Sequence, residues 1–142
     1  MRGLELSAID EYIYQTLSAD GTLTSLLGAP DEIHVDTIHD KEVYPYILAT
    51  MLSTAQTQVV NGYDVLTTAD YQVRAVDRAQ SYQAVKPIAG RIYQLLHQAS
   101  GVVSDGLVLK CIRVRQLHFP TIEETISYRH LGGIYRFWVE GT

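Results

Sequence analysis

The segment 105–119, DGLVLKCIRVRQLHF, most constrains the fold because it alternates like a β-strand while both of its faces carry apolar residues. Leu107 and Cys111 lie on one face, and Val108 and Ile112 lie on the other. A sheet with helices on one face and water on the other alternates cleanly between apolar and polar residues. The segment therefore predicts a sheet whose second face is also covered. Another copy of the chain is the simplest cover, and the alternative is a curled sheet that buries both faces itself.

The rest of the pattern predicts two helices and three further strands. Apolar residues at helical spacing indicate a first helix that ends near Gly21 and a second over 81–101, where Pro87 predicts a kink or a start nearer Ala84. Strands are predicted at 44–54, 70–79, 105–119 and 126–141. The order, α-ββ-α-ββ, indicates an α+β fold: a mainly antiparallel sheet of about four strands with two helices packed on one face.

The range 55–66 is predicted to be a protruding loop of a single domain that spans 1–142. It contains Asn61-Gly62, a hairpin-type turn signal. However, about a dozen polar-leaning residues separate the two flanking strands, which is long for a tight hairpin.

Composition limits the classes of protein that this chain can belong to. The net charge of −5 excludes the large basic surface of a general nucleic-acid binder. Cys111 is the single cysteine, so an intramolecular disulfide is excluded. No stretch approaches the about 18 consecutive apolar residues of a membrane span, and the N-terminus lacks the apolar core of a signal peptide. These features predict a soluble protein without a membrane partner, made in the cytoplasm.

A metal site is weakly indicated by HVDTIHD, which holds His34, Asp36, His39 and Asp40. On a strand His34 and Asp36 share a face while His39 points away, and a spacing of five positions from one histidine to the next is poor on a helix. The segment is therefore interpreted as a polar loop before the first strand. A small metal-dependent enzyme that uses His34, Asp36 and His39 remains the alternative.

Other catalytic signatures are lacking in the sequence. It has no G-x-S-x-G, no P-loop and no G-x-G-x-x-G. The adjacent Glu123 and Glu124 diverge on a regular element, which prevents acid–base work as a pair. Cys111 lies in mid-strand and is interpreted as an inert packed residue. The sequence thus predicts a protein that is not an enzyme and has no catalytic residue, cofactor or metal.

Basic residues concentrate on the predicted strands, namely Arg74, Arg78, Lys110, Arg113, Arg115, Arg129 and Arg136. Too few aromatic residues interleave with them on one face to form a groove for single-stranded nucleic acid. Ion pairs between subunits, with Asp64, Asp70, Asp77 or Glu140 as partners, fit better.

The last segment, ISYRHLGGIYRFWVEG, changes its apparent phase at two glycines. Tyr128 and His130 share a face before Gly132-Gly133, whereas Tyr135 and Phe137 form the apolar face after them. This shift predicts a β-bulge or bend at the glycines and a strand that serves two environments.

Four segments in this order resemble the tail-completion family of long-tailed bacteriophages, also called tail terminators or tail-to-head joining proteins. They are LSADGTLTSLLGAP, VYPYILAT, YQVRAVDRAQSYQAVKPIAGRIYQLLHQASG and YRHLGGIYRFWV, and the resemblance covers residues 6–140. Gene transfer agents carry similar proteins. The resemblance implies a structural virion protein that forms a hexameric ring at the head-proximal end of the tail tube. The ring stops tube growth and joins the tail to the head connector, with DNA passing through its lumen.

The partners implied by this resemblance are further copies of the chain, the major tail tube protein and the head connector or head-closure protein. The predicted contact residues are Gln56, Gln58, Asn61, Tyr63, Arg113, Arg115, Arg136 and Trp138. Another neck protein, such as a head-closure or adaptor component, is the nearest alternative. A ligand-binding module, which requires an apolar internal pocket and a stable monomer, is a further one.

Overall fold

The computed structural model describes residues 5–36, 43–58, 64–104 and 106–141. These residues form, in order, α1 (Glu5–Ser18), α2 (Gly21–Thr24), β1 (Ile33–Val35), β2 (Tyr46–Gln58), β3 (Asp64–Asp77), α3 (Val85–Leu96), β4 (Gly101–Val103), β5 (Gly106–Glu123) and β6 (Ile126–Gly141). The strands make one sheet in the order β1-β2-β3-β6-β5-β4. β1 runs parallel to β2, and every other neighbouring pair is antiparallel. No helix in the described ranges is long and apolar enough to cross a membrane.

The predicted fold class is wrong. The described residues form a mostly sheet structure, a curled and mixed sheet of six strands with three helices, instead of four antiparallel strands with two helices. The missed strands β1 and β4 have three residues each, too few for alternation to show in the sequence. The missed helix α2 is a single turn, which Asp20 caps by accepting a hydrogen bond from the Leu23 N–H at 2.9 Å.

The main core lies between the helices and one face of the sheet. The stripe that predicts the first helix is confirmed, because Ile9, Ile13 and Leu17 are all fully buried. α3 buries Val85, Ile88, Ile92 and Leu96, and its start at Val85 confirms the later start that Pro87 suggests. Full burial of one such side chain contributes about 1.5–3 kcal/mol.

Two irregularities in β5 change which of its side chains face the helices. The register with β6 shifts between Val108 and Lys110 and again between Arg113 and Arg115. As a result Val108 and Cys111 are both buried in the helix-side core, although simple alternation puts them on opposite faces. The predicted face assignment of this strand is therefore wrong beyond its first residues.

Strands β2 and β3 continue into the range interpreted as a loop. β2 runs to Gln58 and β3 begins at Asp64, with Gln56 opposite Thr67. The tip itself, residues 59–63, lies outside the described residues, so its protrusion stays a prediction.

The β5–β6 turn is a two-residue loop in which both central residues have positive φ. Glu124 has φ 50° and Thr125 has φ 69°. Such turns favour Asn-Gly, because side chains other than asparagine and aspartate strain this region and a β-branched residue strains it most. We expect Glu124→Asn with Thr125→Gly to stabilise the fold by about 1–2 kcal/mol. Urea unfolding measures the gain, and an unchanged or lower midpoint would contradict it.

Candidate assembly interface

The sheet face opposite the helices, here called the second face, has no helix over it in the described part of the chain. The strand registers put apolar, aromatic and charged side chains on it, namely Tyr46, Leu48, Asp70, Arg74, Val76, Ile112, Arg115, His130, Ile134, Arg136 and Trp138. Helices α1 and α3 contact strands from the other side, where the core cluster lies, and α2 packs against α1 and α3. The prediction that both sheet faces carry apolar residues is confirmed, whereas nothing in the described residues shows what covers the second face.

An ion pair occupies the middle of the second face. The Arg136 guanidinium donates to both carboxylate oxygens of Asp70, with Nε 2.8 Å from Oδ1 and Nη2 3.1 Å from Oδ2. The two residues are direct cross-strand neighbours. Bidentate pairing raises the pKa of Arg136 further above its ordinary value. Asp70 thus satisfies Arg136 within the same chain, although Arg136 is predicted to pair across a subunit boundary.

Two shallow depressions, each of about 290 Å³, flank this ion pair. Trp138 and Thr68 line the first with Ala55 of β2, and Arg115 and Ile134 line the second. They share Asp70 and Arg136, so they form one continuous groove across the sheet. Tryptophan and arginine, here Trp138, Arg115 and Arg136, are enriched in protein–protein contacts.

An aromatic cluster lies at the end of the second face where β2 begins and β5 ends. Tyr44 lies 5.3 Å from Tyr46 and 5.7 Å from Tyr128 between ring centroids. These rings, with Val76, line a pocket of about 140 Å³ that Glu123 borders. The cluster is a second, smaller core that belongs to this face alone.

The His130 imidazole lines that pocket in its neutral form, with one ring nitrogen accepting a hydrogen bond and the other donating one. The Arg74 Nε–H donates to His130 Nδ1 at 3.1 Å, so the ring proton lies on Nε2, which is 2.9 Å from the Thr121 hydroxyl. The ring also stacks on Phe119 with 4.5 Å between centroids. Burial, together with the charge of Arg74, lowers the pKa of His130 to about 4.

Both long edges of the sheet are open along most of their length. β1 pairs with β2 only over Ile47–Ala49, and β4 pairs with β5 only over Gly106–Val108. Within the described ranges, no strand therefore pairs with the outer side of β2 from Thr50 to Gln58 or with that of β5 from Leu109 to Glu123. On β5, however, the Gln98 N–H donates to the Cys111 carbonyl and the Arg113 N–H donates to His97 Nδ1, so the open part of this edge begins after Arg113. The β2 stretch contains no charged residue or proline, the residues that usually protect such edges, and its one protecting feature is the register shift between Met51 and Ser53.

The eight predicted contact residues separate into three groups. Arg115, Arg136 and Trp138 lie on the second face. Arg113 lies on the helix side, where its guanidinium carbon is 4.0 Å from the Tyr93 ring centroid. Gln56 and Gln58 belong to β2, but their side chains are not described, and Asn61 and Tyr63 lie outside the described residues.

The structure also locates the residues of the predicted metal alternative. His34 is buried, and its Nε2 lies 2.8 Å from a carboxylate oxygen of Glu32. Asp36 has φ 73° and follows β1, and His39 lies outside the described residues. In the described part of the chain, no three His, Cys, Asp or Glu residues are grouped to hold a metal ion.

Cys111 is fully buried in the helix-side core. Burial raises the pKa of its thiol far above the ordinary value, which keeps the sulfur protonated and unreactive. The position agrees with the interpretation of Cys111 as a packed residue.

Sequence reasoning missed the aromatic cluster and the open β2 edge. The cluster joins residues from three separate segments, and only the abundance of tyrosine, ten in all, pointed to it. The edge has a signal in the sequence, since TMLSTAQTQ is uncharged, but its meaning depends on which strand is outermost.

Comparisons with known proteins agree with this geometry. A family model described as "Tail completion protein gp17" matches residues 11–127. Among solved structures, a chain of the "Virion of native gene transfer agent (GTA) particle" matches with a TM-score of 0.77 and 19% sequence identity, over 98% of this chain and 99% of that one. At that identity the likeness shows a shared fold. No curated protein matches the sequence significantly.

Proposed function

Because the chain belongs to the tail completion protein gp17 family, we propose that it forms a closed ring, with six copies as the implied number, at the head-proximal end of a tail tube. The family is one of structural virion proteins, and the chain is a component of the virion. The proposed ring stops tube growth, joins the tail to the head connector and lets DNA pass through its lumen.

The single observation that carries the ring is that the two open sheet edges are different surfaces. A contact between β2 of one copy and β5 of the next is heterologous, and heterologous contacts form a closed ring when the rotation between neighbouring copies divides a full turn. β2 and β5 run in opposite directions within the sheet, because β2 is antiparallel to β3, β3 to β6 and β6 to β5. Such a contact therefore adds a strand and satisfies backbone groups that β2 leaves open from Thr50 and that β5 leaves open beyond Arg113.

A charge on the β2 edge tests the ring. Thr54 is exposed in the open part of β2, and Thr54→Lys gives this edge the residue with which soluble proteins prevent strand addition. We expect a folded monomer that fails to terminate tails, with the yield of joined particles reduced at least about tenfold, since about 1.4 kcal/mol lost per contact suffices. Electron microscopy of particles assembled with the altered chain measures tail length and joining.

Thr22→Lys is the matched control, because Thr22 is exposed on α2, away from both edges. It should assemble as the unaltered chain does. Normal tails with Thr54→Lys would refute strand addition at β2. Purified chain that binds portal-side protein but not tail tube protein would instead favour a head-closure or adaptor role.

A further inference from the structure

Charge is strongly segregated along this chain. Residues 3–40 contain eight acidic residues and no lysine or arginine: Glu5, Asp10, Glu11, Asp20, Asp31, Glu32, Asp36 and Asp40. Residues 78–122 contain one acidic residue, Asp105, and six basic ones: Arg78, Lys86, Arg91, Lys110, Arg113 and Arg115. A net charge of −5 therefore conceals an acidic part and a basic part.

The described acidic residues of α1 lie beside the edge strand β1, and α1 also contacts β4, β5 and α3. Ser7, Asp10, Glu11 and Tyr14 lie three or four residues apart on one side of α1 and line a groove of about 420 Å³ with β1. Asp10 accepts a hydrogen bond from the Tyr71 hydroxyl at 2.6 Å, and burial raises its pKa. Glu11 lies at the surface of this groove and accepts hydrogen bonds from Ser104 and Gln15.

Part of the basic range lies beside β5, whereas Arg91 pairs with Asp20 of the acidic range within the same chain, with Nε 2.8 Å from Oδ2. A groove of about 280 Å³ lies between α3 and β5, and Lys86, Arg113, Gln116 and His118 line it. Gly90 also lines it and borders open space, since a Cβ there would meet no atom within 4 Å. Lys86 and His118 are exposed, and no acidic residue lines this groove.

The two grooves are separate surfaces, because the acidic one lies between α1 and β1, the basic one lies between α3 and β5, and no residue lines both. We propose that the acidic groove of one copy docks on the basic groove of the next, so that charge fixes the head-to-tail direction of the ring. This inference rests on the proposed ring and names the surfaces that meet in it. Each exposed ion pair contributes only about 0.2–1 kcal/mol, but a closed ring repeats the contact at every boundary.

Charge exchange between the two grooves tests this docking. Glu11→Lys and Lys86→Glu each place like charges at every boundary, so either change alone should lower the yield of terminated tails about tenfold at low salt. A chain that carries both changes has the original net charge and complementary grooves again. Its yield should return to within about threefold of the unaltered chain. The control is Gln83→Glu with Gln94→Glu, which alters net charge as Lys86→Glu does but lies outside the groove, and it should leave the yield unchanged.

The possible results distinguish a failure of the groove docking from a failure of the proposed ring. If both single variants assemble normally, the charged grooves do not meet. The same conclusion follows if the yield of terminated tails from the double variant is reduced by the product of the two single reductions. Rings imaged in those same particles would leave the proposed function standing. Particles of the unaltered chain in which this position holds no ring would refute the ring as well.

Discussion

Gly132→Ala is expected to destabilise the fold by about 3 kcal/mol. A Cβ at this position would lie 2.1 Å from the Val73 carbonyl oxygen and 2.6 Å from the Arg74 Cα. Both atoms belong to the backbone of β3, which pairs with β6 without a register shift. The clash therefore cannot be relieved by a side-chain movement and must separate two central strands.

Gly90→Ala is the matched control, because the same change in the interior of α3 meets no atom within 4 Å. There alanine should stabilise the helix by about 0.5–1 kcal/mol. Urea unfolding of both variants measures the difference. A Gly132→Ala midpoint equal to that of the unaltered chain would show that β3 and β6 do not approach so closely.

The glycine pair shows where sequence patterns mislead. The predicted bulge in β6 is wrong, since its pairing with β3 is continuous through Gly132 and Gly133. The irregularity lies in the neighbouring strand, between Arg113 and Arg115 of β5. The apparent change of phase arises because both faces of β6 carry apolar residues, so alternation alone cannot locate a break.

What the sequence predicts well is local, and what it misses depends on distant segments. Ile13 and Ile92 follow the helical period of their own helices, so the buried stripes were predictable. β1 is a strand only because Ile33–Val35 lies beside Ile47–Ala49, which no periodicity of three residues reveals. The fold class was wrong for this reason.

The candidate interface was partly predictable for the same physical reason. Arg136 and Trp138 follow the alternation of one regular strand and lie on the second face. Arg113 precedes an irregularity and points to the helices, where it stacks on Tyr93. Prediction of its direction required the register of β5, which the pairing with β6 determines.

Acidification from about pH 6.5 to pH 4 is expected to remove about 3 kcal/mol of stability through His130. Burial and Arg74 lower the pKa of His130 from 6.5 to about 4 in the fold. Above pH 6.5 the His130 imidazole is neutral in both the folded and the unfolded chain, so it does not change the free energy of unfolding. Below it the unfolded chain binds a proton that the folded chain does not, so the free energy of unfolding falls until the pH reaches the folded-state pKa.

The difference between the unaltered chain and His130→Gln isolates this contribution. Asp10 acts in the opposite direction, because its raised pKa means that the folded chain binds a proton more readily than the unfolded chain as the pH falls. This contribution of Asp10 to the pH dependence of stability is present in both proteins, so it cancels when the two are compared. His118→Gln, at an exposed position of β5, is the control and should keep the full pH dependence. Equal slopes for His130→Gln and the unaltered chain between pH 4 and 6.5 would mean that the imidazole is protonated in the fold, with its hydrogen bond from Arg74 broken.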